Sequence, residues 1–445
     1  MWMLKVNDVL KDGKFLGDRV VLDEPYRGVS IDSRKASMGN IFIAIKGKRF
    51  DGHDFVDEAI GKGAIVAVVE RELAGRNIFL VESSIKALHG IAKAVLDYIR
   101  PFKIGITGTC GKTTVKEMTY KALSSFRKVE RTRGNENNLI GLPLNVANLS
   151  SCEVFIAEMG TNTPGEISTL SRLIEPDLAI ITSIGEGHLE GLGSLAGVFR
   201  EKIGILDGMK SGGLLIFPGD SPFFTDAVSI AKARGIEVLP FYSKEVNEIK
   251  PGVYRFSIGG RELEGSFCYV GEHMGINSLI VLKVAGVFGI DPESIIEALK
   301  GFEPVGSRFN LIHIKGVTVI DDTYNANPLS TRYALITTSK FEGKKIFVFG
   351  SMMELGEYSV DLHREIGRVA RSANIDLMFT LGEFASYALH EFVSLGGKGS
   401  HFDTHDDLVK AILSEIREGD VILVKGSRAM RMEIIVEELV RCYGS

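Results

Sequence analysis

Residues Lys103 to Thr114 read KIGITGTCGKTT: an apolar run breaks into glycines at 105, 108 and 111 and reaches Lys112, Thr113 and Thr114 where a helical pattern begins. Strand, glycine turn and helix in that order are the architecture of a triphosphate cradle. Glycine permits the turn and lets bare backbone N–H groups around Gly108, Thr109 and Gly111 close on phosphate oxygens. The helix N-terminus adds its dipole. Lys112 suits the β and γ phosphates of ATP, and the Thr113 hydroxyl suits one site on Mg²⁺, with Thr114 beside it. The generic spacing wants a glycine five positions before Gly111, where this chain has Ile106. The context therefore carries the reading, and a glycine-rich turn without a ligand is its alternative.

At 445 residues the chain is long enough for about three domains. Hydrophobic residues make up 45% and charged residues 24%, which excludes a disordered or fibrous chain. A net charge of −5 supplies no basic field for nucleic acid, so an anionic ligand must be held by local groups. Cys110, Cys152, Cys268 and Cys442 are scattered without metal-type spacing, as in a reducing cytosol. The opening MWMLKVNDVLKDGK carries charges too early for a secretory core, and no apolar run is long enough to span a bilayer. The expectation is a cytoplasmic protein with no membrane insertion.

Short strand-like runs (Ile41–Ile45, Ile65–Val69, Ile78–Val81) alternate with helical stretches up to a helix over Ile85–Ile99, which Pro101 stops. From 103 to about 302 follow KIGIT, EVFIAEMG, DLAIITSIG and GLLIFPGD, each apolar throughout, as parallel strands covered on both faces are. They imply a doubly wound α/β sheet. VYRFSIGGRELEGSFCY alternates around Gly259-Gly260 and reads as a hairpin, and helices are expected over His273–Phe288 and Pro292–Leu299. From Pro304 onward NLIHIKGVTVIDD, KKIFVFGSM, IDLMFTLGE and GDVILVKGS describe a second, smaller α/β unit. The boundaries expected are 1–100, 101–303 and 304–445.

Glu158 ends the strand EVFIAEMG, and ligands of open parallel sheets sit beyond such ends, so it can share the metal of Thr113 or serve as a capping carboxylate. His188 follows the next strand in a glycine-flanked loop, with a metal or phosphate role or simple packing open to it. In LAGVFREKIGIL, Lys202 falls on the stripe of Leu195, Val198, Phe199 and Leu206. An inward lysine has its charge disfavoured, and its neutral amine can take up CO₂ to give a carbamate, an anionic metal ligand. The alternative is a snorkelling ammonium or a partner for Glu158 or phosphate. Arg308 in GSRFN suits a γ-phosphate. Asp321, Asp322, Tyr324, Asn325 and Asn327 in VIDDTYNANP suit a nucleotide ribose and neighbouring ligands, or plain turn chemistry.

Together these residues resemble the Mur ligases, the ATP-dependent amide-forming enzymes of peptidoglycan precursor synthesis, over nearly the whole chain. VSIDSRKASMGNIFIAIKGKRFDGHDF is similar to the family's uridine-nucleotide domain, with Ser33, Arg34, Lys46, Arg49 and His53 at nucleotide-sugar positions. GNENNLIGLP, with Asn135, Asn137 and Asn138, resembles a substrate loop. EMGTNTPGEI, GHLEGLGSL and the Lys202 helix resemble the metal region of Glu158, His188 and a modified lysine. DDTYNANP, MELGEYSVDLHREIG and KGSRAM resemble the branch that joins D-alanyl-D-alanine to UDP-N-acetylmuramoyl-tripeptide, with Tyr324, Asn325, Asn327 and His363 near the incoming dipeptide. Two departures stand out. GEHMGIN has Met274 where an asparagine is common, which leaves adenine contact to Asn277, and Ser351 stands where an aspartate is usual.

The resemblance implies a three-domain architecture, a central P-loop ATPase-like sheet, two Mg²⁺ ions, and a monomer that works through an acyl phosphate. Lys112, His188, Lys202 and Arg308 are then the catalytic set, and Asp322 and Asn277 contact the nucleotide. A sibling ligase that adds the third amino acid is one alternative. A P-loop ATPase acting as an assembly switch is another, and it leaves the first domain unexplained.

Overall fold

The computed structural model describes residues 4–73, 75 and 77–444; the first three residues of the opening stretch lie outside them. Four sheets organise these residues. The first has five strands in the order Lys14–Leu16, Ile78–Leu80, Val66–Val69, Ile41–Ile43, Val29–Ser30, parallel except for the antiparallel edge strand Lys14–Leu16. The helix Ser84–Ile99 follows, started by the Ser83 hydroxyl accepting from Lys86 N–H and ended by Arg100 in a left-handed conformation ahead of Pro101.

The central sheet is six-stranded and wholly parallel, in the order Glu237–Phe241, Leu214–Pro218, Leu178–Ile181, Phe102–Thr107, Val154–Glu158, Val129–Arg131. Val154 to Glu158 are all buried, because helices or a small sheet cover both faces. Fully burying each such Val, Ile or Phe contributes roughly 1.5–3 kcal/mol relative to exposure. One face packs Ile104, Ile106, Val115 and Met118 against Tyr254, Phe256, Leu279 and Leu282. The other carries Phe155, Ala157, Ile181 and Phe217 into a core continuous with Val66 of the first sheet and Leu88 and Val95 of the helix Ser84–Ile99. Asn148 fastens these two regions like an added strand, since its amide both accepts from Val29 N–H and donates to Val29 C=O, each at 3.0 Å.

The hairpin expected at Gly259-Gly260 is present as Val253–Ile258 and Arg261–Ser266, with both glycines at positive φ, and Val246–Lys250 adds a third strand. The helices expected after it run Glu272–Val287 and Pro292–Leu299. The last sheet is six-stranded, in the order Asn310–Ile314, Val317–Asp322, Val421–Lys425, Lys345–Gly350, Leu377–Leu381, Lys398–Phe402, antiparallel only at its first strand. Leu189, Leu192 and Val198, from the loop and helix beyond the central strand Leu178–Ile181, are packed into this sheet's core beside Met352 and Leu355.

Candidate active site

The strand Phe102–Thr107 runs into Gly108, whose φ is +151° and whose added Cβ would stand 1.9 Å from Thr182 Oγ1, so only glycine fits. Gly111, at φ +83°, starts the helix Lys112–Leu123. The turn differs in one respect from the sequence reading: Thr109 N–H donates to Ser183 C=O at 3.0 Å and Cys110 N–H to Ser183 Oγ at 2.9 Å. The groups left for an anion are the N–H donors of Gly111 to Thr114, which have no preceding helical carbonyl to bond. Lys112 Nζ folds back onto Gly108 C=O at 2.7 Å and Thr109 C=O at 3.3 Å. Burial pushes its pKa down, with Glu158 opposing the shift. The ammonium thus lies over the turn itself, where an incoming phosphate can exchange with the carbonyls.

Beside the turn, Thr113 Oγ1 donates to Glu158 Oε1 at 3.1 Å and accepts from Arg308 Nη2 at 3.2 Å. Asn137 Nδ2 also reaches Glu158 Oε1, at 2.8 Å. The other oxygen of Glu158 lies 3.2 Å from Lys116 Nζ, whose side chain is wholly buried. Lys116 in turn donates to Gly134 C=O at 2.8 Å. Sequence reasoning missed Lys116; its signal is a lysine on the inward face of a helix, one turn after Lys112. A hydroxyl and a carboxylate in contact form the hard-oxygen pair that Mg²⁺ takes. Among the described residues no three His, Cys, Asp or Glu side chains cluster tightly enough to cage an ion, so such an ion would complete its shell with phosphate and water.

A cavity of about 450 Å³ opens here. The structure brings to its wall Thr109, Gly111, Lys112, Thr113, Thr114, Asn135, Asn137, Asn138, Glu158, His188, Lys202 and Asn277 from the central region. Arg308, Asp322, Tyr324, Asn325 and Asn327 line it from the C-terminal region. Lys202 is 1% exposed, and burial aided by Lys112 lowers its pKa to about 7. The helix that carries it, Leu195–Ile203, stops before Leu206, which sits in the following 3₁₀ turn. His188 holds a left-handed backbone, φ +56°, with Nδ1 2.7 Å from Glu354 Oε2.

On the C-terminal side Arg308 stacks on the Tyr324 ring at 3.7 Å. Asp322 pairs with Lys425 at 2.6 Å; burial raises the Asp322 pKa while Lys425 opposes the rise. Lys425 is a second site residue not singled out from sequence; its signal is a lysine ending the apolar strand Val421–Lys425. The DDTYNANP segment serves both of its readings. Asp321 Oδ1 accepts from Thr323 and Asn327 caps the helix Pro328–Ser339, while Asp322, Tyr324 and Asn325 face the cavity.

Other expected site residues lie elsewhere. Ser33, Arg34 and Arg49 line a second cavity of about 750 Å³ in the first region, together with Phe50, Phe55 and Ile140. Lys46 is exposed outside its lining. His53 is corrected: it is 6% exposed, with Nδ1 on Asp51 at 2.6 Å and Nε2 accepting from Glu70 N–H at 2.9 Å, so both ring nitrogens hold the fold. His363 is likewise corrected. It is fully buried, Nδ1 donating to Ser359 C=O and Nε2 accepting from Met352 N–H, and burial lowers its pKa to about 4. Gly108 shapes the turn without lining the cavity. Ser351 is buried and accepts from Ala385 N–H at 3.0 Å, a structural place outside the cavity.

A glycine turn on a parallel sheet, closed by a second α/β unit that brings its own cations, is the frame of a nucleotide-using enzyme. Comparison with known proteins specifies which. The family model for the Mur ligase middle domain matches residues 106–285, that for the Mur ligase glutamate ligase domain residues 307–428, and that for the Mur ligase family catalytic domain residues 25–97. The UDP-N-acetylmuramoyl-tripeptide–D-alanyl-D-alanine ligase of Bacillus subtilis is 37% identical over 427 residues, 93% of each chain. A crystal structure of MurF from Acinetobacter baumannii superposes with a TM-score of 0.88 at 30% identity, covering 96% of each chain. MurF from Thermotoga maritima in complex with ADP gives 0.84 at 30% identity, covering 93% of this chain and 97% of its own. The chain belongs to the Mur ligase family.

Proposed function

We propose that this protein joins D-alanyl-D-alanine to UDP-N-acetylmuramoyl-tripeptide, using ATP and releasing ADP and phosphate, in cytoplasmic assembly of the peptidoglycan precursor. The observation that carries it is a single loop. Asn135, Asn137 and Asn138 line the cradle cavity, and Ile140, two residues further on, lines the cavity of the first region. A long substrate with a nucleotide at one end and a carboxylate at the other fits that arrangement. Likeness to relatives named for this reaction, along nearly their whole length, supports it.

A carboxylate does not accept an amine, because its carbon is poorly electrophilic and the departing group would be oxide. The terminal carboxylate of the tripeptide therefore attacks the γ-phosphorus, breaking its bond to the β–γ bridging oxygen and giving an acyl phosphate and ADP. The dipeptide amine then attacks the acyl carbon, loses its proton and expels phosphate. The work left to the protein is positioning and charge neutralisation. Lys112 and Arg308 neutralise the γ-phosphate, while the Gly111–Thr114 amides hold its neighbours. Mg²⁺ held at Thr113 and Glu158 would supply further neutralisation. A second ion would draw on Glu158, His188 and a carbamylated Lys202. Asn277 and Asp322 take the nucleoside, and Tyr324, Asn325 and Asn327 the dipeptide. Residues 1–100 hold the uridine nucleotide with Ser33, Arg34 and Arg49, residues 101–303 bind ATP, and residues 304–445 close over it. Since one chain forms the whole cavity, the enzyme works as a monomer.

Coupled ADP release with purified nucleotide tripeptides and a panel of D-dipeptides tests this. The expected result is ADP release that depends on both peptides and peaks with D-alanyl-D-alanine. ATP turnover equally fast without them would instead favour an ATPase switch.

A further inference from the structure

We propose that Glu354 is a positioning residue: it reaches from the C-terminal region to the His188 imidazole and fixes which ring nitrogen carries the proton. This inference rests on the functional reading above. Glu354 Oε2 stands 2.7 Å from His188 Nδ1, while Glu354 itself stays outside the cavity wall that His188 lines. The contact is close without being aligned as a hydrogen bond, and the carboxylate's charge at that distance favours the tautomer with the proton on Nδ1, which leaves the lone pair on Nε2.

The two residues share a second peculiarity. His188 at φ +56° and Glu354 at φ +63° both occupy the left-handed region, which strains residues carrying a side chain. Packing between the regions keeps them there. Glu190 N–H donates to Glu354 C=O at 3.0 Å, and Leu189 and Leu192 sit in the core with Met352 and Leu355. On the same loop, Glu186 pairs with Arg332 at 2.6 Å, and Arg332 also holds Glu365 at 2.7 Å. The His188 turn thus belongs to the central chain segment but is packed as part of the C-terminal core. His188 is set for use only while that region is docked.

The test measures ¹⁵N signals of the histidine ring in selectively labelled full-length protein, with His188→Gln used for assignment, alongside steady-state kinetics. In the unaltered protein His188 is expected as the Nδ1–H tautomer. Glu354→Gln, whose amide oxygen still accepts, keeps that tautomer and loses less than about threefold in kcat. Glu354→Ala moves the ring toward Nε2–H and lowers kcat by about 10- to 100-fold with the KM for ATP unchanged. Glu354→Gly removes the carboxylate and also relieves the strained backbone, so its melting temperature holds or rises while kcat falls as in the alanine variant. Unaltered His188 signals in Glu354→Ala, or full kcat in Glu354→Gly, would overturn the proposal. Absence of peptide-dependent ATP use in the unaltered protein would instead sink the functional reading, and the ring signals would still decide this one.

Discussion

Lys116 Nζ lies 3.2 Å from Glu158 Oε2 with its side chain closed off from solvent, so the carboxylate beside the cradle is neutralised from behind and keeps its other oxygen for Thr113 and Asn137. The same ammonium holds Gly134 C=O and stands 3.3 Å from Glu117 Oε1, while Glu117 Oε2 accepts from Arg131 Nε. One lysine therefore ties the cradle helix, the strand-end carboxylate and the asparagine loop together. Removing it takes from buried Glu158 the cation at its Oε2 and leaves Glu117 with Arg131 alone. Lys116→Met should destabilise the protein by about 3–5 kcal/mol, read as a lower urea midpoint. An unchanged midpoint would mean the network does not hold the fold.

The hydrogen bonds that hold Lys112 Nζ among the described residues are those to the turn's own carbonyls. Lys112→Ala should therefore fold normally and lose about 10²- to 10³-fold in kcat. Near-normal ligation by this variant would show that the turn is not the ATP site.

The interior placement of Lys202, with a pKa near 7, favours the neutral amine that combines with CO₂ to give a carbamate and a proton. Protein equilibrated with ¹³C-bicarbonate should show one carbamate carbonyl signal that Lys202→Ala lacks. That variant should lose activity by about 10- to 100-fold and recover part of it with added short carboxylates. A labelled protein with no such signal would leave Lys202 as a plain buried amine.

His363 makes a pH-dependent contribution to stability. Its pKa is about 4 in the folded chain against 6.5 for a free histidine, so the unfolded state binds more protons between those values. Its full contribution is present above pH 6.5 and is lost as pH falls toward 4, about 3 kcal/mol in all. His363→Gln, which can still donate and accept, should flatten the urea midpoint over that window. An equally steep profile in the variant would place the acid sensitivity elsewhere.

Arg332 joins Glu186 of the His188 loop to Glu365 of the C-terminal helix Ser359–Ser372. Arg332→Ala should loosen docking and enlarge the radius of gyration in small-angle scattering. An ATP analogue with substrate should compact the unaltered protein further, and identical radii in every state would argue for a preformed site.

Much of the fold was legible because its strands are uninterrupted apolar runs and its turns are marked by glycine and proline. Ile41, Val66, Ile104, Phe155 and Ile180 read as buried strand residues and are. The cradle was legible for the same local reason, since strand, turn and helix are adjacent in sequence. The two histidines were not. His53 and His363 sit in polar, motif-like stretches, yet both nitrogens of each ring are taken, by the Asp51 carboxylate and Glu70 N–H for His53 and by Ser359 C=O and Met352 N–H for His363. Such an environment leaves no mark on the residue itself. Lys116 and Lys425 were passed over because their partners, Glu158 and Asp322, lie 42 and 103 residues away.

The sequence alone determined the local chemistry: where glycine must bend the chain, which strands are covered on both faces, and that Lys202 falls among the apolar residues of its helix. These follow from short-range sterics and from the period of apolar residues, which every neighbour along the chain shares. Only the tertiary structure decided that Lys116 stands behind Glu158, that one loop lines two cavities, and that Glu354 meets His188 across the regions. Those pairings depend on how separate elements pack, and packing is set by the whole core at once.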